Sequence, residues 1–288
     1  MTTKKKVGCF FLALLAFPAA LVVQNLIIIP LMGFRTIYFF ASGEAKSVGP
    51  DLGGALIDLA FDGTFLDAVQ LVYAVAIVIL FGIWFYKAFH KESVSYAAAK
   101  RRIPVLILGL LLLSVGGQYL AELIYEIVAG IAPAAAESYE ELVELSGFDQ
   151  PSLMTLIYGI VMGPIAEELI FRGVMLRYLQ KALPFAAANV IQAVLFGIYH
   201  MNLMQAVYTG AIGLLFGYIS YRSGNLWFST ITHIIFNIFG FTNVLFLASD
   251  NPYFNFLWLP LMILTLILGS MLFFGKLGSY NPKRVRVG

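Results

Sequence analysis

The sequence predicts an all-α polytopic membrane protein with about eight transmembrane helices and both termini on the cytoplasmic side. Three observations carry this. The 288 residues are 60% hydrophobic and only 12% charged, with a mean hydropathy of +0.87, whereas soluble domains are typically about 45–50% apolar. Apolar runs near the roughly 20 residues needed to cross a bilayer fall at 10–32, 66–86, 103–121, 153–176, 184–201, 204–221, 226–246 and 255–275. With the N-terminus inside, 15 of 18 Lys and Arg lie on the cytoplasmic side and 13 of 16 acids outside, the asymmetry that orients membrane proteins.

The first run follows Lys4, Lys5 and Lys6. A cleaved leader ending near Ala19 and Ala20 is an alternative, but the run continues past Pro18 to about residue 32, longer than the usual apolar region of such a leader. An uncleaved first span is the better reading. Cys9, the only cysteine, offers neither an internal disulfide nor a metal cluster and reads as a small apolar residue. Gly43, Gly49, Pro50, Gly53 and Gly54 mark an irregular external loop. After the second run, Lys87 to Arg102 form a basic connection in which His90 reads as interfacial. The stretch Glu122 to Asp149 after the third run is almost purely acidic. Residues 1–150 thus form three N-terminal transmembrane helices with two external loops and carry no motif. Trp84, Trp227 and Trp258 stand near predicted helix ends, where indoles anchor at the interface. The net charge of +2 follows from topology and implies no nucleic acid partner.

Residues 151–288 form the second half, with five helices, and from Ser152 onward polar groups enter the apolar runs. The fourth run reads GPIAEELIFRGVMLRYLQK from Gly163 to Lys181. Pro164 frees a carbonyl one turn earlier, so the helix kinks there or restarts with the proline at its first position. Glu167 and Glu168 follow in the next turn, where a helix N-terminus favours negative charge. At about 100° per residue the two carboxylates cannot share a face, whereas Glu168 and Arg172, four apart, can. Glu168 with Arg172 then forms an internal ion pair, leaving Glu167 turned toward another helix as the candidate base. Charged groups are costly in hydrocarbon, and their presence there is a functional signal. A register-fixing charge cluster is the bland alternative.

The fifth run, NVIQAVLFGIYHMN, places Asn189, Gln192, Phe196 and His200 on one inward face, and the seventh, STITHIIFNIFG, does the same for Thr230, His233 and Asn237. At 1.5 Å per residue, Glu167, His200 and Asn237 lie about 21, 24 and 20 Å from the cytoplasmic ends of their helices, with His233 one turn shallower. All four can meet at one level, in a water-filled cavity expected to open to the cytoplasm. The pairs Gly159/Gly163 and Gly213/Gly217 allow close helix contact.

A carboxylate, two imidazoles and an amide suit amide hydrolysis. Glu167 takes a proton from water that His200 holds or polarises, while His233 and Asn237 donate to the developing oxyanion. No serine has a nucleophile-like setting. A zinc variant with Glu167, His200 and His233 as ligands stays open, although HExxH is absent.

EELIFR (Glu167–Arg172), FGIYH (Phe196–His200) and HIIFN (His233–Asn237) resemble the EExxxR, FxxxH and HxxxN motifs of the CPBP family. These are the CAAX-protease and bacteriocin-processing membrane endopeptidases, also called Abi. Order and spacing match across about residues 150–240. The resemblance implies an eight-helix membrane fold, a location in the plasma membrane of a prokaryote, and an endopeptidase related to the type II CAAX prenyl protease. It assigns water activation to Glu167 and His200, oxyanion stabilisation to His233 and Asn237, and the remaining motif positions to Glu168 and Arg172. The family has been described both as metalloproteases and as glutamate-dependent peptidases, so Zn2+ stays an open cofactor. The expected partners are the lipid bilayer and a prenylated or other membrane-associated peptide substrate. A non-catalytic scaffold or immunity protein and a proton-coupled transporter are the competing classes, the latter because buried carboxylates and histidines also line ion paths.

Overall fold

The structure is a computed structural model that describes residues 1–49, 51–90, 103–145, 151–242 and 252–276. The described chain forms eleven helices: α1 (Thr3–Ala41), α2 (Glu44–Ser47), α3 (Leu52–Ala60), α4 (Gly63–Phe89), α5 (Ile103–Ile131), α6 (Pro133–Leu145), α7 (Leu153–Ala182), α8 (Phe185–Tyr199), α9 (Leu203–Ser223), α10 (Leu226–Thr242) and α11 (Pro252–Lys276). Each of the eight apolar runs overlaps one of these helices, with residues 243–246 of the seventh outside the described residues. Among the described residues, six spans are long and apolar enough to cross a bilayer, and α8 and α10 are shorter apolar helices. The chain is an integral, multi-pass membrane protein, and most of its exposed large side chains are apolar, as a lipid-facing surface requires.

Several boundaries differ from those expected. Gly43 and Gly49 do take positive φ, but Gly53 and Gly54 lie inside α3, and Pro50 is outside the described residues. Aspartates that cap two helices make the difference. Asp51 accepts from the Gly54 N–H at 3.1 Å and Asp62 from Phe65 N–H at 2.7 Å, satisfying donors that helix starts leave orphaned. Arg35 of α1 closes this corner, donating to Leu59 O at 2.8 Å and pairing with Asp62 at 3.4 Å. Likewise α5 runs to Ile131, so Glu122 and Glu126 are helical, and the acidic stretch beyond is largely α6.

The core has three packed groups, the first of them built around α7. On one side, Ala13, Ala16 and Ala20 of α1 and Tyr73, Ile77 and Phe81 of α4 pack with Ile170, Phe171 and Val174 of α7 and Phe196 of α8. Across the molecule, Leu106, Leu110 and Leu113 of α5 meet Ile219 of α9 and Phe273 of α11, and Ala121, Ile212 and Phe216 bridge α5 to α9 against Phe236 of α10. The two halves of the chain therefore share a core. The closeness of α5 and α11 depends on glycine: a Cβ on Gly109 would stand 2.8 Å from Phe273 N, and one on Gly269 2.9 Å from Gly109 O.

Candidate active site

Helix α7 is not a uniform α-helix. Ser152 starts it, accepting from Thr155 N–H at 3.0 Å, and the Ser152 and Thr155 hydroxyls both donate to the buried Asp67 carboxylate of α4 at 2.5 and 2.8 Å. Two segments, Ile157–Met162 and Leu169–Met175, are π-helical, with the α turn Gly163–Glu168 between them. Such wide turns close i→i+5 bonds and recur at functional sites. The first one absorbs Pro164. Gly163 N–H reaches back to Tyr158 O, and in the same register Gly159 O would face position 164, where proline has no N–H to give. Gly159 O is instead taken from outside: Asn237 Nδ2 of α10 donates to it at 2.7 Å. The carbonyl freed by the proline is thus Gly159, five residues back rather than four. Because the chain stays helical through the proline, Glu167 and Glu168 do not sit at an open helix N-terminus, and the expected dipole contribution gives way to specific partners.

Those partners form a connected string. Arg172 and Glu168 pair at 2.8 Å with both side chains fully buried. The guanidinium also donates to Gly213 O of α9 at 3.2 Å and lies 4.2 Å above the Phe196 ring and 5.4 Å from that of Phe216, a stacked, desolvated setting suited to arginine. His233 of α10 bridges the two glutamates. Its Nδ1 is 3.3 Å from Glu168 Oε1, and its Nε2 is 3.6 Å from Glu167 Oε2. An ionised carboxylate only accepts, so Nδ1 is the donor toward Glu168, and Nε2 is the ring nitrogen that faces Glu167.

His200 stands at the end of α8, as its C-cap rather than within its regular turns. The next residue, Met201, has φ of 56°, and Asn202 caps α9 by accepting from Gln205 N–H at 3.1 Å, so His200 occupies a tight helix hairpin. His200 Nδ1 donates to Phe196 O at 2.9 Å, which leaves Nε2 as an acceptor. The Phe196 ring separates the imidazoles, 5.0 Å from His200 and 5.9 Å from His233. Glu167 interacts electrostatically with His200 and touches His233. Glu167, Glu168, Arg172 and His233 are thus in direct contact in sequence, His200 joins them across one aromatic ring, and Asn237 lies a turn beyond His233, held to Gly159.

Where a water-filled cavity open to the cytoplasm was expected, the side chains of the site are largely buried. Glu167 keeps 15% of its side chain exposed and His233 6%, because Phe171, Phe196 and Phe216 fill the space between helices. Surface grooves lie elsewhere, beside Phe11 and Leu15 of α1 and between Val194 of α8 and Val207 of α9.

Some contributors were not singled out by spacing. Gly213 and Gly217, read as helix contacts, also make room for polar side chains. A Cβ on Gly213 would stand 3.0 Å from Phe196 and 3.3 Å from Arg172 Nη2, and one on Gly217 1.9 Å from Asn189 Oδ1. Asn189 Nδ2 donates to Leu214 O at 3.0 Å and Gln192 Nε2 to Gly213 O at 3.0 Å. Phe216 and Thr209 belong to an α9 face whose apolar spacing looks like ordinary core. As to metal, no three His, Cys, Asp or Glu side chains among the described residues converge to hold an ion. With Nδ1 of His233 held by Glu168 and that of His200 by Phe196 O, Nε2 of each ring is the atom left for the zinc role considered for Glu167, His200 and His233.

Residues 149–239 match the family described as Type II CAAX prenyl endopeptidase Rce1-like, so the resemblance carried by the three motifs holds across that segment. The chain is also 34% identical over 87 residues to the Bacillus subtilis (strain 168) protein named "Putative membrane peptidase YdiL", a match covering 30% of this chain and 35% of that protein. The chain thus spans about a third of the length of the curated relative it matches. No solved structure matches it.

Proposed function

We propose that this CPBP-type membrane protein is an intramembrane endopeptidase that hydrolyses a peptide bond by glutamate-activated water. The observation that supports it most is the string Arg172, Glu168, His233, Glu167, in which a buried ion pair orients an imidazole whose second nitrogen faces the least buried carboxylate.

In this mechanism a water molecule donates one O–H to Glu167 and the other to Nε2 of His200, so that its lone pair points at the scissile carbonyl carbon. As the C–O bond forms, Glu167 takes the proton and shares it with His233 Nε2. Glu168 stabilises the resulting imidazolium, the orienting role that a carboxylate has for histidine in hydrolytic sites. Protonated His233 and the second amide hydrogen of Asn237 donate to the oxyanion. The proton then passes to the leaving nitrogen as the C–N bond breaks, yielding a carboxylic acid and an amine, and the acid proton then moves to the amine to leave carboxylate and ammonium. The substrate is a prenylated, CAAX-like peptide or another membrane-associated precursor, since an apolar, lipid-embedded surround favours a peptide delivered in the bilayer.

The test is cleavage of prenylated CAAX peptides and unprenylated precursor peptides by the purified chain in nanodiscs. Glu167→Gln should lower cleavage by about 10²-fold or more, and a chelator should leave it unchanged. Cleavage that survives Glu167→Gln removes the base; cleavage lost with the chelator and restored by zinc replaces it with a metal.

A further inference from the structure

The half of the chain without motifs also reaches the site. Tyr73 of α4 is 5% exposed, and its hydroxyl is hydrogen-bonded to that of Tyr199. Tyr199 is the last residue of α8, immediately before His200. Its ring packs edge-on against Phe171 of α7 at 5.4 Å and Phe17 of α1 at 6.4 Å, and at 90° to the His200 ring. The phenols of Tyr73, Tyr199 and Tyr158 all stand near enough to Glu167 to interact with it electrostatically.

We propose that Tyr73 is a positioning residue of this site, acting through the Tyr199 hydroxyl to fix the helix end that carries His200. His200 needs such support. It caps a helix just before a residue at positive φ, a conformation that non-glycine residues adopt only when their surroundings hold them there. The Nδ1 bond to Phe196 O sets the ring's tautomer, but where that ring sits depends on where α8 ends. Packing holds Tyr199 on its faces, while the Tyr73 hydroxyl holds its tip. Phenylalanine at both positions would fill the same space, so the hydroxyls contribute direction rather than volume.

This inference rests on the peptidase reading for its catalytic meaning, but its central test does not need activity. The chain has three histidines, so the full-length protein labelled with 15N-histidine in nanodiscs gives three imidazoles, with His200 assigned by His200→Gln. Tyr73→Phe and Tyr199→Phe cut the same bond from opposite ends. Each should shift the His200 imidazole resonances by a similar amount, the double variant should add nothing, and His90 should stay still. With a cleaved peptide, each variant should lower kcat about 2- to 10-fold at nearly constant KM, the range for one hydrogen bond. A His200 signal unmoved by either phenylalanine, or a double variant showing the sum of two independent shifts, overturns the proposal. A wild-type protein that cleaves none of the peptides removes the peptidase reading alone, leaving the spectroscopic result to decide whether Tyr73 positions His200.

Discussion

Replacing Arg172 by methionine isolates the interaction on which the pocket is built. The side chain keeps a similar reach and apolar stem, so the cavity stays filled, but three contacts go: the 2.8 Å pair with Glu168, the 3.2 Å bond to Gly213 O and the stacking over Phe196 at 4.2 Å. Glu168, fully buried, is left with an uncompensated charge. Breaking a buried pair from one side costs about 3–5 kcal/mol, which corresponds to a fall in melting temperature of about 6–20 °C for a chain of this size. Removing both charges in Glu168→Gln/Arg172→Met should recover at least about 1 kcal/mol relative to Arg172→Met, because no charge is then stranded and the glutamine amide oxygen can still accept from His233 Nδ1. Thermal unfolding of the purified variants in one detergent, followed by helical circular dichroism, measures both steps. An Arg172→Met protein as stable as wild type, or a double variant no more stable than that single one, would refute the account of Arg172 as the counter-charge to Glu168.

Further expectations concern the elements around the site. Gly217→Ala brings a Cβ to 1.9 Å from Asn189 Oδ1 and 2.6 Å from Gln192 Nε2, and thermal unfolding should show an overpacking loss of about 1–3 kcal/mol. Gly82→Ala in α4 meets nothing within 4 Å and should be neutral or stabilising by up to about 1 kcal/mol in the same assay. Asp67→Ala removes the acceptor for Ser152 and Thr155 at the start of α7. It should cost about 1–3 kcal/mol and raise amide exchange in the first turns of α7 before that of α9 or α10.

The helical membrane character of the described residues was written in composition, because no amount of tertiary packing lets a chain this apolar remain in water, and run length locates the six spans long enough to cross. The convergence of EELIFR, FGIYH and HIIFN was legible for a related reason. Charged and imidazole groups in an apolar run must face one another, since hydrocarbon offers no other partner. Local order was less accessible. Pro164 announces a break, yet whether it kinks, restarts or widens the helix depends on what can take the freed carbonyl, and that partner, Asn237, lies 73 positions later on α10. The same limit hid the roles of Gly213 and Gly217, because a glycine pair reads as backbone contact until Arg172, Asn189 and Gln192 are seen occupying the space beside it. Tyr73 carries no motif and stands 126 residues from Tyr199; only the packing of α4 beside α7 brings its hydroxyl to the end of α8. Spacing along a helix decides which face a side chain occupies, but what that face meets, and which donor finds which acceptor, is decided by how the helices are set against one another.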